Sequence, residues 1–577
     1  MAVDGTDPER DARPLDPVKA PVTTDDTTRY LCAAPHLDRD YADEAIREFL
    51  VEPTRPIPPS PGFDSTSVLM EAIAARTRRK LRDGALAVLM AVCVYTLWDS
   101  PVTWVWILLA VLMCAYRVWT SGLPLRKMLG RTLGLLLAVG LLYALWYALS
   151  ESLLTELFGG RSSRRHSDTT FIGASPADTA FGLSALGLAL AVLVVDRVAV
   201  WRLLTRRFGR LSRNQPRPDP LLEERPLRSW SPPSFVRQLV RHQAHANLPA
   251  EYDGVAQLVV HRGYLPFVGS GRVRDPWSMV LPLEPGEKPE EATELTTTSF
   301  YRRVRAEMAV LQESTGLSPS MRLRELKIID AVFASSSELI DHLNEPAAVA
   351  YLSGLDSPPN PFLPPQEVEQ LRALPREWSR YYLCFQLETW DRDLVLSMYL
   401  HAAVDDSTLY LEWTPCVLTP VDPEYQSIDK LSRSSARAWG QAFGRWLRLP
   451  VTVFGRLRHT LRIIRPRPSD PGMLDADRYG ALRTLREMAA APDVLEYFQL
   501  LDVERYEKIL HSRLIPAISR VLREAGYSPA QFERRAAQVV NQVNIHGANY
   551  GAFNVSGTTT GPMSGAAVGA AEGETHE

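Results

Sequence analysis

The sequence has little lysine. Only 7 of its 64 basic residues are lysine and the rest are arginine, a bias that a GC-rich coding sequence explains without any arginine-specific role. Net charge is −3, so no overall attraction to nucleic acid is implied and none is expected as a partner. The five cysteines (Cys32, Cys93, Cys114, Cys384, Cys416) are scattered; they show neither the CxxC or Cys/His spacing of a zinc site nor a disulfide framework. There is no GK[ST] P-loop, no HExxH and no Gly-x-Ser-x-Gly elbow, so no catalytic residue, metal ligand or cofactor is assigned. The polar, Pro-rich first 70 residues carry no apolar run near Met1, and a cleavable signal peptide is not expected.

What the sequence does have is concentrated hydrophobicity. Mean hydropathy is only −0.12, yet residues 84–200 hold long uncharged runs. From Gly84 to Tyr116 the one formal charge is Asp99. A single helix there would be roughly 50 Å long, against a hydrocarbon core of ~30 Å. Asp99-Ser100-Pro101 divides it, because Asp and Ser cap a new helix and Pro suits its first turn. Trp98 and Trp104 flank the turn, as interfacial rings do. Thr132–Ser150 and Ala180–Val195 are further uncharged runs. Four spans would thus lie at about 84–99, 101–118, 132–150 and 179–197. Arginine and lysine flank them mainly on one side (Arg76 to Arg82, Arg117 to Arg131, Arg197 to Arg213), which predicts an inner-membrane protein with both termini cytoplasmic. A bundle of very apolar helices without a membrane, and a re-entrant first hairpin, are the competing readings.

The remaining chain divides by composition. Residues 1–64 read as a disordered, Pro-rich tail with a short helix at 41–51, and 65–207 as a lead-in helix plus the four spans. A linker follows at 208–235, then an α+β domain with a mainly antiparallel sheet at 236–429. Strand-like runs lie at 255–261, 277–283, 323–333, 380–389 and in a hairpin pairing 393–403 with 408–418. Basic amphipathic helices occupy 430–469, a helical region 470–541, and an uncharged Asn/Gly/Thr-rich tail 542–577. The fold class expected is a four-helix transmembrane region of two hairpins carrying a cytosolic α+β domain and a helical C-terminal region.

Three phrases, "RYLCAAPHLDRDYADEAIREFLVEPTRPIPPSPG", "GYLPFVGSGRVRDPWSMVLPL" and "LREAGYSPAQFERRAAQVVNQ", resemble a family of uncharacterised actinobacterial multi-pass membrane proteins. The resemblance implies the same layout and brings no known activity or catalytic residue with it.

Three stretches are candidate sites. Gly269, Ser270 and Gly271, followed by Arg272 and Arg274, could form a backbone nest for a phosphate; a tight turn with solvated arginines is the plainer alternative. Residues 430–469 contain ten Lys or Arg and no acid. There Trp439, Phe443, Trp446 and Phe454 line an apolar face, and Arg445, Arg448, Arg458 and Arg462 a basic one. Such a helix suits a surface of anionic lipid headgroups, or else packs in a core. Asn544-Ile545-His546-Gly547 returns as Asn554-Val555-Ser556-Gly557, similar to the Asn/Gly-rich tails called bacterial amyloid-signalling motifs and suited to cross-β self-assembly; a disordered end is the alternative.

Together these observations point to a multi-pass membrane protein whose cytosolic domain senses or binds a partner. Its expected role is non-enzymatic signalling, scaffolding or effector action. Its expected partners are the lipid bilayer, an unidentified cytosolic protein and further copies of itself. A membrane-anchored enzyme acting on lipid or nucleotide, or an oligomeric pore, is the alternative.

Overall fold

The computed structural model describes residues 26–538, apart from 98–100, 121–175, 211–234, most of 236–254, 287–293, 465–473 and a few isolated positions. Its principal helices are α1 (Asp26–Leu37), α2 (Arg39–Ile46), α3 (Ser65–Leu97), α4 (Pro101–Thr120), α5 (Pro176–Arg206), α6 (Thr297–Ala309), α7 (Pro365–Ala373), α8 (Ala436–Leu447), α9 (Leu449–Leu461) and α10 (Tyr497–Glu524).

Eight strands form one sheet: β1 (Ala256–His261), β2 (Arg272–Val273), β3 (Trp277–Pro282), β4 (Lys327–Ser335), β5 (Phe362–Leu363), β6 (Ser379–Thr389), β7 (Leu394–Val404) and β8 (Thr408–Leu418). Their order is β2-β8-β7-β6-β4-β1-β5, with β3 also paired to β8. Every pairing is antiparallel except β1 with β4. The long β7–β8 hairpin follows from alternating apolar residues and a two-residue turn. Asp405 and Thr408 exchange backbone hydrogen bonds, and the Asp405 carboxylate accepts from the Asp406 N–H.

One face of the sheet packs on α6, α7 and α10. Val503, Tyr506, Leu510, Leu514, Ile518 and Val521 recur at three- and four-residue spacing along α10 and are buried there with Phe300 and Val304 of α6. The opposite face buries Phe333, Tyr382 and Tyr399, which Phe267 covers at ring distances of 4.6–5.3 Å.

A second core joins α1, α2 and the start of α3 to the end of α5, Tyr425 and Leu485. The segment from Asp26 is therefore helical and buried where composition suggested a loose tail. Arg29 is 1 % exposed and holds Asp26, Asp429 and the Phe208 carbonyl. Nearby, His36 lies within 3.1 Å of Glu71 through Nε2, and the Arg78 guanidinium donates to Nδ1. The ring is therefore neutral, with its proton on Nε2. Burial, opposed by the Glu71 hydrogen bond and reinforced by Arg78 and Arg79, lowers its pKa to about 4. The unfolded chain, with an ordinary His36, binds the extra proton between about pH 6.5 and 4, so acidification through that window destabilises the fold. Unfolding free energies from urea titrations at pH 7.5 and 5.0 should differ by about 2 kcal/mol more in wild type than in His36→Gln. Equal pH dependence in the two proteins would remove His36 as the cause.

The helices α3, α4, α5, α8 and α9 meet around a third, smaller core of Leu86, Met90, Trp106, Ala189, Leu193, Ala442 and Leu449. This arrangement corrects the four-span expectation. Among the described residues, only Ala180–Arg206 is a helix long and apolar enough to cross a membrane, and a single such helix is weak evidence because an apolar core helix has the same composition. Among the described residues of α4, Thr103–Tyr116 forms a shorter apolar helix. The helix α3 is continuous for 33 residues, and its charged first half is packed beneath α1 and α2. Side chains such as Val88, Leu108, Leu112, Leu188 and Val195 are exposed on the bundle. The run Thr132–Ser150 and the turn at Asp99-Ser100 lie outside the described residues.

The two-hairpin transmembrane fold, the multi-pass inner-membrane location with both termini cytoplasmic, the pore and the lipid-bilayer partner are accordingly withdrawn. So is the role built on them, a membrane-tethered sensor or enzyme. What stands is a mixed α/β domain joined to a helical region.

Candidate anion site at the helix junction

Where α3, α5, α8 and α9 converge, the chain brings together ionisable groups far apart in sequence. Asp83 of α3 has a side chain 4 % exposed. It accepts from Arg82 at 2.8 Å, from Arg456 of α9 at 2.7 Å and from His459 Nδ1 at 3.2 Å. Arg456 and His459 reach it together because i and i+3 share a helix face. Asp196 of α5, 5 % exposed, pairs with Arg82 at 3.0 Å and Arg78 at 3.5 Å. Burial alone would raise the Asp83 pKa, but His459, Arg82 and Arg456 hold it at about 2. Asp196 is likewise lowered, by Arg82 and Arg78 against its burial.

Two further arginines enter the cluster without a partner of their own. Arg197 and Arg445 are part-buried, and neither forms a hydrogen bond or ion pair with a described residue. The Arg197 Nε is fully buried and unsatisfied. Five guanidinium groups (Arg78, Arg82, Arg197, Arg445, Arg456) thus face two carboxylates. Burial, then repulsion from Arg197 and Arg82, brings the Arg445 pKa down to about 9; burial, together with Arg82 and Arg78, brings Arg197 to about 10. A guanidinium ordinarily stays charged in proteins, so this site is short of negative charge.

The amphipathic stretch is divided by this packing. Ala438, Ala442 and Leu449 bury the helices α8 and α9 against the bundle. Trp446 turns inward: Nε1 donates to the Leu186 carbonyl at 3.1 Å, and its ring meets Trp106 at 5.4 Å and Phe443 at 5.6 Å. Arg445 joins the charge cluster, and Arg448 donates to the Gly444 carbonyl at 2.9 Å. Trp439, Phe443, Phe454, Arg458 and Arg462 remain exposed. The helix lying on anionic lipid headgroups is withdrawn, since its inward face is occupied by protein.

The Gly269–Arg274 loop does form a backbone nest, and the chain itself supplies the anion. Glu487 Oε1 accepts from the N–H groups of Gly269 at 2.8 Å and Gly271 at 3.0 Å. The other oxygen caps Thr484. Gly269 and Gly271 have φ of 97° and 81°, and a Cβ on Gly271 would stand 2.3 Å from the Val417 carbonyl oxygen. Ser270 hydrogen-bonds the Tyr399 hydroxyl at 2.6 Å, and Arg272 donates to the Pro492 carbonyl. Asn544, Ile545, Gly547, Asn554, Val555 and Gly557 lie outside the described residues.

Sequence reasoning found Arg82, Arg197 and Arg445 for other purposes and missed Asp83, Asp196, Arg456 and His459 as parts of a site. One signal was present. Asp83 and Asp196 stand at the ends of apolar runs, each beside an arginine, in "RRKLRDG" and "VVDRV", and a lone carboxylate at such a border needs a partner once buried.

The chain matches no curated protein and no solved structure. The resemblance to actinobacterial multi-pass proteins and the likeness of the tail to amyloid-signalling motifs find no support in these comparisons. Residues 276–557, just under half of the chain, are similar to the AbeC-like domain; that stretch includes β3 to β8 and carries Arg445, Arg456 and His459, whereas Arg82, Asp83, Asp196 and Arg197 precede it.

Proposed function

We propose that this protein binds an oxyanion of the phosphate class at the helix junction, where the ligand ties α3 and α5 to α8 and α9. The observation that carries the reading is the pair Arg197 and Arg445, two part-buried guanidinium groups without a protein partner among the described residues, inside a cluster that already has more cations than anions. Guanidinium forks match phosphate oxygens in geometry and charge. The ligand supplies the negative charge missing from the site, and occupancy strengthens the attachment of the preceding helices to the AbeC-like stretch.

The test is thermal unfolding of the full chain with phosphate against chloride at equal ionic strength. A ligand at a hundred times its Kd should stabilise the fold by about 2.7 kcal/mol. Arg445→Gln should abolish that increment, whereas the exposed Arg458→Gln should keep it. Equal unfolding in phosphate and chloride would end the proposal.

A further inference from the structure

The outer sides of α8 and α9 carry apolar and cationic residues in adjoining rows. Phe454, Leu457 and Leu461, three and four residues apart, share one face of α9, and Phe454 and Leu461 are 73 % and 68 % exposed. Arg458 and Arg462, each one position further along the chain, form the row beside them and are exposed as well. On α8, Trp439 and Phe443 are an exposed pair with the same spacing. Single apolar side chains on a surface are ordinary, whereas a run of five large ones along two consecutive helices marks an interaction surface. The space outside is open: a Cβ placed on Gly440, Gly444 or Gly455 would meet no atom within 4 Å.

The charge on this face is of one sign. Residues 431–464 contain no Asp or Glu, and the exposed Arg437, Arg458 and Arg462 pair with no carboxylate among the described residues. Arg76 and Lys80 add to the positive charge, donating to the Arg462 carbonyl at 3.4 Å and 3.0 Å. The carboxylates that α9 does contact, Asp83 and Asp43, are 4 % and 9 % exposed. Arg82, Arg456 and His459 hold the first, Arg76 and Arg39 the second. They are spent on the inner side and cannot neutralise the outer one.

We propose that this face docks an acidic amphipathic helix of a protein partner, with apolar side chains of the partner on Phe454, Leu457 and Leu461 and its carboxylates on Arg458 and Arg462. A helix repeats its own apolar and charged rows at the same spacing, so it matches both rows at once. The surface is separate from the anion reading of the junction, whose Arg445 and Arg456 point to the other side of the same helices.

The experiment is fluorescence anisotropy of labelled peptides titrated with the full chain over a range of salt concentrations. One probe is a leucine–glutamate amphipathic peptide of roughly 20 residues, long enough to be helical. A second has the same leucines with lysine in place of glutamate, and vesicles of anionic phospholipid are a third. The glutamate peptide should bind, and the lysine peptide about ten-fold or more weakly, because like charges would face each other. Phe454→Ser should weaken binding of the glutamate peptide about ten-fold or more at every salt concentration, through lost apolar burial. Arg458→Gln combined with Arg462→Gln should weaken it mainly at low salt and flatten its salt dependence. These side chains are exposed, so the variants should unfold where wild type does, which separates loss of docking from loss of folding. Equal binding of the two peptides overturns the proposal, as does binding that Phe454→Ser leaves unchanged. A chain that ignores both peptides and takes up anionic vesicles overturns it too. Sedimentation of the chain alone covers the remaining occupant: a dimer that Phe454→Ser dissolves would give the face to a second copy and overturn the partner helix.

Discussion

Asp83→Ala should lower stability by about 3–5 kcal/mol, because removing one member of a buried charge cluster leaves the others uncompensated. Three donors lose their acceptor at once: Arg82, Arg456 and the His459 Nδ1–H. The excess of positive charge at the junction rises from three to four. The cost therefore comes less from three lost hydrogen bonds than from the cations left in a poorly solvated place. A double-mutant cycle separates the two contributions. Asp83→Ala combined with Arg456→Leu should recover a large part of the loss, since it removes a cation along with the anion. Denaturant midpoints of the four proteins supply the cycle, and additive losses would show that Arg456 and Asp83 are energetically independent. Phosphate should also stabilise Asp83→Ala more than wild type, through the same charge deficit.

Glu487→Ala should cost about 3–7 kcal/mol: two backbone N–H groups lose their acceptor at about 1–3 kcal/mol each, and a capping box worth about 1 kcal/mol is opened. The affected groups are the N–H of Gly269, Gly271 and Thr484 and the Thr484 hydroxyl. With the latch gone, the loop that holds Phe267 over Phe333 and Tyr399 loses its tie to the 484–488 helix. The near-ultraviolet circular dichroism of that aromatic cluster should weaken, while the far-ultraviolet signal stays. Glu487→Gln keeps an acceptor oxygen and should lose about half as much. Formate at millimolar concentration should partly restore the alanine variant, because the nest is an anion site whoever supplies the anion. No rescue, with an undisturbed aromatic signal, would mean that the nest is held by β2 and the Ser270–Tyr399 contact rather than by Glu487.

The parts of the fold that were legible in the sequence are those decided by near neighbours. Alternation of apolar residues marks β6, β7 and β8, and Asp405-Asp406-Ser407 marks the turn between two of them, because period and turn chemistry act over a few residues. The amphipathic character of α8 and α9 is equally local. The parallel pairing of β1 with β4 is not, since some 70 residues and two other strands intervene.

Four long uncharged runs suggested four spans because composition reports hydrophobicity and not what covers it. Whether such a run is continuous, how far its apolar part extends and which side meets protein depend on neighbours. Here α3 begins deep in a core of α1 and α2, and its apolar half packs against α5.

The same division runs through the candidate sites. From the sequence alone, Gly269-Ser270-Gly271 is readable as an anion nest, for positive φ at two glycines is a local property. That its anion is Glu487, more than 200 residues away, was decided by the tertiary structure. The stretch 430–469 is readable as basic and amphipathic, and only folding turns Arg445 and Trp446 inward while Trp439 and Phe454 stay exposed. Asp83 meets Arg456 across 373 positions, and Asp196 joins them from a third helix. Local rules determine which residues carry charge and which face of a helix they occupy. The excess of arginine over aspartate at one buried point exists only once four helices meet, because Coulomb energy depends on distance in space and on exclusion of water, and sequence spacing specifies neither.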